Sequence, residues 1–166
     1  MLDVQIGGAA QLRKVAAGIR ATGDKGLGRQ MSRALAASTK PIQRSIDAES
    51  EKVMPKRGGY RAVFAKSLRH KTSQRTSARN SSLTLITYAD GTGERRDVQS
   101  LEGGALRHPV FGRSRTVRGR GRVPNPWTVT RIRSGFHKRG TDGAADEAER
   151  QLSTVLGDFA SRLAKG

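Results

Sequence analysis

The chain has 166 residues, of which 34% are hydrophobic and 4% aromatic; it contains no cysteine and carries a formal net charge of +18. This length predicts a single domain over residues 1–166, and the low apolar fraction predicts a thin core completed by burial against partner subunits. Disulfides and thiolate metal sites are excluded, no apolar run approaches the ~18–20 residues that span a bilayer, and Met1-Leu2-Asp3-Val4 does not open a secretory signal, so a soluble chain made in a cytoplasm is expected.

Residues 9–22 predict a short amphipathic helix, with Leu12, Val15, Ala16 and Ile19 at i, i+3, i+4 and i+7, ended by Gly23. A longer helix is expected over about 25–53, with a stripe through Leu27, Met31, Leu35, Ile42, Ile46 and Val53. Pro41 predicts a kink or restart within it, and Pro55 stops it. Ser67–Thr72 and the β-branched run Leu83–Tyr88 predict two strands, joined by a polar connection over 73–82 that extends them or loops between them. Asp90-Gly91 and Gly93 mark a turn. Residues 113–126, rich in Arg, Gly and Pro, predict a long flexible loop or arm, and Thr128–Arg133 alternates as a strand. The last helix runs through Ala148, Leu152, Val155, Leu156, Phe159, Ala160 and Leu163, with Thr141 or Asp142 as its cap. Acids in its first turns and Arg162 and Lys165 in its last turn suit the helix dipole. The expected fold class is α+β: kinked N-terminal helices and a C-terminal amphipathic helix packed on a small, mainly antiparallel sheet with long loops.

The charge excess is localised. Residues 55–89 hold eight basic residues and no acid, and residues 103–140 hold ten and no acid. These account for the whole excess, because the other fourteen basic residues are matched by the fourteen acids. Such segments suit either a polyanion or acidic protein surfaces. Arg113, Arg115, Arg118, Arg120 and Arg122 make the arm at about 113–125 the densest part, with Arg131 and Arg133 following. Arginine forks pair with phosphate and glycine keeps such a tract adaptable. The same tract also reads as a solvated or subunit-bridging arm.

Catalytic chemistry finds no foothold in the pattern. His70, His108 and His137 form no metal-ligand pair, and no cofactor or metal is expected. His70 and His137 are expected at the surface among cations, and His108 within a hydrogen-bonded loop. Gly23-x-x-Gly26-x-Gly28 and Gly91-x-Gly93 lack the residues of a phosphate loop. There is no G-x-S-x-G elbow. A non-enzyme is expected.

The segment Gly104-Ala105-Leu106-Arg107-His108-Pro109-Val110-Phe111-Gly112-Arg113 places Phe111 in a Gly/Pro-framed stretch, with Trp127 and Phe136 close behind. Large apolar rings outside a core predict a shaped loop that docks on something. The order of parts is an Ala-rich kinked helix ending at Pro55, a Gly58-Gly59-Tyr60 turn leading to a sheet, Leu106–Gly112, Trp127, Gly135-Phe136 and a terminal helix. It resembles the neck, or head–tail joining, protein family of long-tailed bacteriophages, often described as a minor tail component, over nearly the whole chain. The basic run 113–123 and the charges at Arg131 and Arg133 depart from that pattern.

The resemblance implies a non-catalytic structural virion protein, made in the bacterial host cytoplasm. It would form a homo-oligomeric ring of six or twelve copies at the head–tail junction. Its partners would be head-side connector proteins, tail terminator and tail tube proteins, and passing genomic DNA. The docking surface expected on this basis is Arg107, His108, Pro109, Val110, Phe111, Trp127 and Phe136, with core packing as the competing role for Trp127 and Phe136. Two other readings stay open: a tail terminator capping the tail tube, and a basic nucleic-acid-binding module, for which the high charge speaks.

Overall fold

The structure, a computed structural model, describes residues 2–6, 9–56, 60–76, 81–90, 98–109, 115–117, 121–123 and 127–165. The fold is α+β. Helices built from the two ends of the chain pack on one face of a small antiparallel sheet, and a basic two-stranded ribbon is inserted before the last two helices.

Strand β1 (Leu2–Ile6) leads into helix α1 (Ala9–Thr22), which buries the expected stripe of Leu12, Val15, Ala16 and Ile19. Helix α2 (Lys25–Ser38) starts where the Asp24 carboxylate accepts from the amides of Gly26 (2.7 Å) and Leu27 (3.0 Å), two donors that the first turn otherwise leaves unpaired. The helix expected over 25–53 is two helices, because the chain breaks at Thr39 and restarts as α3 (Lys40–Val53). Pro41 is the reason: it has no amide proton to donate and its ring excludes the carbonyl four residues back, so it is accommodated only in a first turn. The Ser38 and Thr39 hydroxyls close the break by donating to the carbonyls of Leu35 and Ala36, each at 2.8 Å.

Beyond Pro55 the chain forms helix α4 (Tyr60–Ser67) where the sequence suggested only a turn into the sheet. Strands β2 (Leu68–Thr76) and β3 (Ser81–Ala89) then pair antiparallel along their full lengths, so the polar connection does extend both strands. β1 pairs with the other edge of β3, giving the order β1-β3-β2. Leu83, Leu85 and Thr87 of β3 are buried and alternate with half-buried Thr84, Ile86 and Tyr88, the period-two pattern of a sheet covered on one face. On β2 the even positions also face the helices. His70 bonds Thr87 and Asp47 (3.0 Å each), Thr72 meets Thr39 (3.1 Å), and Gln74 donates to the Ser32 carbonyl (2.7 Å). His70 is thus a half-buried strut between sheet and α3, not the surface residue the sequence suggested.

A short helix, α5 (Val98–Glu102), precedes the ribbon, and α6 (Phe136–Asp142) and α7 (Ala145–Lys165) follow it. Thr141 and Asp142, expected to cap the last helix, close α6 instead, where Asp142 pairs with Lys138 at 2.6 Å. α7 buries Ala148, Leu152, Leu156 and Phe159 and leaves Ala160 exposed.

The core is tightest where α6 crosses α3. A Cβ on Gly140 would lie 2.6 Å from Cα of Ile46 and 2.7 Å from its nitrogen, so only glycine lets the two backbones meet there. Phe136, fully buried, sets its ring edge-on to that of Phe64, with centroids 6.4 Å apart, a favoured aromatic geometry. The Arg139 guanidinium lashes the same crossing to Glu49 of α3 at 3.0 Å. Lys52 first, then Arg139, hold the Glu49 carboxyl below the usual carboxylate range.

Candidate interaction surface

The segment expected as a docking loop is a strand. β4 (Ala105–Pro109) pairs antiparallel with β7 (Trp127–Arg131), in the register Ala105 to Arg131, Arg107 to Val129 and Pro109 to Trp127. Nested inside this ladder, β5 (Arg115–Val117) pairs with β6 (Gly121–Val123). What the sequence suggested as a flexible arm at about 113–125 therefore contains a second short ladder, and the described parts form a ribbon of two hairpin segments. The Arg/Gly/Pro composition concealed it, because Gly and Pro are depleted in strands and leave no propensity signal.

The base of the ribbon is rigidly built. Gly104 has φ +86, and a Cβ there would sit 2.9 Å from the Ile132 carbonyl oxygen. This turn needs glycine, and it lets the Ile132 amide donate to the Gly104 carbonyl at 2.9 Å. Leu106 anchors β4 in the core at 1% exposure. Glu102 crosses to the far end of the insertion, where its carboxylate accepts from the His137 and Lys138 amides at 2.8 and 3.2 Å and its backbone carbonyl accepts from Gly135 at 2.8 Å. A residue before the ribbon thus caps the helix after it, using a negative charge at a helix N-terminus.

Outward from that base the ribbon leaves the body. Thr128, Val129, Thr130 and Arg131 are all exposed although they alternate across the ladder, so neither face of this strand is covered. Val129 is 60% exposed, the one large exposed hydrophobic side chain among the described residues. Because directly opposed residues share a face, ladder positions 105, 107 and 109 lie on the same face as 127, 129 and 131. The register therefore brings Arg107, Pro109 and Trp127 to one face of the ladder, although the sequence separates them, and adds Val129 and Arg131. His108 takes the alternate face beside Thr128.

The remaining expected residues divide. Val110, Phe111, Arg113, Arg118 and Arg120 lie outside the described residues. Arg115 stands opposite Val123, and Arg122 opposite Thr116, in the inner ladder. Arg133 is exposed just past the ribbon. Phe136 does not join the surface: it is fully buried against Phe64, so it is a core residue and supplies no docking contact. His137 beside it is also buried, at 6% exposure, and not among surface cations as expected. Val129 is the residue that sequence reasoning missed; its signal was a β-branched apolar side chain between two threonines. From Ala105 to Arg131 the chain carries seven arginines and no acid.

Among the described residues no group of three or more His, Asp or Glu side chains is placed to hold a metal ion, and no helix is long and apolar enough to cross a membrane. Comparison with protein-family models, with curated proteins and with solved structures finds no match.

Proposed function

We propose that this chain is a structural subunit of the neck of a long-tailed bacteriophage, one copy of a ring that joins the DNA-filled head to the tail tube. The observation that carries this reading is the ribbon. It sets Arg107 and Pro109 in register with Val129 and Trp127 on an arm whose described outer strand is exposed on both faces. An arm exposed on both faces of its described outer strand, with an apolar side chain amid cations, suits contact with a neighbour. Rotation-related neighbours meet through unlike surfaces, which close into a ring when the rotation closes. Seven arginines without an acid suit acidic connector or tail surfaces and speed encounter with them. A tail terminator would use the same geometry one position further along the axis.

The test is size-exclusion chromatography with light scattering and negative-stain imaging of the purified chain, alone and mixed with heads and with tail tubes. Rings that seat on heads support the neck, and rings that seat only on tail tubes make the chain a terminator. Val129→Asp is expected to leave a folded chain that no longer assembles. A wild-type chain that stays monomeric under all three conditions and binds DNA with steep salt dependence would replace this reading with the nucleic-acid-binding module.

A further inference from the structure

The outward face of the three-stranded sheet is a second basic surface, formed by residues remote in sequence from the ribbon. Alternation fixes its members. The inward positions of β2 are identified by their bonds to the helices: His70 to Asp47, Thr72 to Thr39 and Gln74 to the Ser32 carbonyl. Arg69, Lys71, Ser73 and Arg75 therefore point the other way, and the three cations are exposed. In register beside them on β3 stand Tyr88, Ile86, Thr84 and Ser82, all half-buried.

Among the described residues these cations form no ion pair. The Arg69 guanidinium is steadied by the carbonyls of Lys66 (2.7 Å) and Leu68 (3.0 Å), which position it without neutralising it. Among the described residues neither Lys71 nor Arg75 has a carboxylate within ion-pair distance. No acid occurs anywhere in residues 55–89. The one acid at a register position of this face, Asp3, belongs to β1 at the opposite edge of the sheet. Like charges held side by side repel, so the arrangement is unfavourable until an anion meets it.

We propose that this sheet face binds the phosphodiester backbone of nucleic acid. The strand rises about 3.4 Å per residue, and one strand of B-form DNA presents a phosphate about every 3.4 Å along its axis. The row from Arg69 to Arg75 spans about 20 Å, a length over which a phosphate backbone laid against β2 presents several charges to the three cations. Tyr88, directly across from Arg69, adds a ring beside the first cation, where a base of a single strand can stack. An acidic protein would also answer to the charge, but an extended row of cations along one strand is the better match to a polymer whose charges also run in a line. The inference does not rest on the ring reading, since the face is complete within one copy of the chain.

The test measures fluorescence anisotropy of a labelled duplex and of the matching single strand, titrated with the full chain between about 50 and 200 mM salt. The site variant is Arg69→Gln/Lys71→Gln/Arg75→Gln, and the comparator is the ribbon variant Arg115→Gln/Arg122→Gln; circular dichroism establishes that both fold. For the duplex, the site variant is expected to flatten the slope of log affinity against log salt by about 2.7, because each phosphate contact contributes about 0.9. The drop in affinity across that salt range should then shrink by about 40-fold. Tyr88→Ala identifies the natural ligand: roughly a fivefold or greater loss confined to the single strand supports single-stranded nucleic acid, and no change supports the duplex backbone. The proposal is overturned if the wild-type chain binds neither form at the lowest salt. It is equally overturned if the site variant keeps its affinity and slope while the ribbon variant loses both, or if the site variant loses only self-association, which would make this face a protein contact.

Discussion

The helical body and the ribbon obey opposite rules. The body spends nearly every large apolar side chain it has on contacts such as Phe64 with Phe136 and Ile46 against Gly140. The outer ladder of the ribbon is joined to that core through Leu106, and its described outer strand lies in solvent on both faces. The contrast teaches where stability and interaction are each encoded. Substitutions in the core of the body should cost folding free energy and leave recognition intact in whatever still folds. Substitutions in the ribbon should do the reverse.

The largest effect that would sharpen this contrast is Phe136→Ala. It leaves a cavity against Phe64 and should cost about 3–5 kcal/mol in urea denaturation, whereas a docking residue would cost almost nothing. Gly140→Ala should follow at about 1–3 kcal/mol or more, because the added methyl group meets the Ile46 backbone and not a side chain that can swing away. Glu102→Ala removes the carboxylate that takes two amides of α6, and is expected to cost about 1–2 kcal/mol.

A pH titration isolates a smaller effect. The folded Glu49 carboxyl ionises below its ordinary unfolded value because Lys52 and Arg139 favour the anion. Its contribution is therefore fully present above that value and is lost as pH falls through the lower, folded one. Glu49→Gln should weaken the protein at neutral pH and flatten that part of the acid limb; an unchanged acid limb would show the carboxylate to be idle. The smallest expected effect is that of Arg115→Gln/Arg122→Gln, within about 0.5 kcal/mol of wild type. A large loss there would break the comparison by showing that the ribbon supports the body.

Helices with a long apolar stripe were legible from sequence because burial on a cylinder repeats every 3.6 residues. α1 shows it residue for residue, and α7 nearly so, with Ala160 facing water where the pattern had it inside. Short elements were not legible. α4, α5 and α6 hold eight, five and seven residues, too few for a period to stand out, and their ends are set by contacts from elsewhere, such as Glu102 on α6. β1 depends on a partner far along the chain and so left no local signal.

The candidate surface divided in the same way. The residues Arg107, Pro109 and Trp127 could be singled out by type, but that they share a face depends on a register which only strand pairing fixes. Phe136 was misplaced because a lone aromatic beside a glycine looks alike whether it faces a partner or a core.

The pairing of β1 with β3 carries a consequence for biogenesis. Leu2 is matched to Thr87 and Ile6 to Leu83, so the first strand must wait for roughly 80 residues of synthesis, about 4–16 s at ribosomal rates, before its partner exists. The backbone hydrogen bonds within helices α1 to α3 are local and can form in that interval. A nascent chain thus carries a helical half with an unmatched edge segment until the β2–β3 hairpin emerges. That hairpin is the step that gives the first strand its partner, and codons that delay it would lengthen the period in which the chain invites a chaperone or a wrong strand partner.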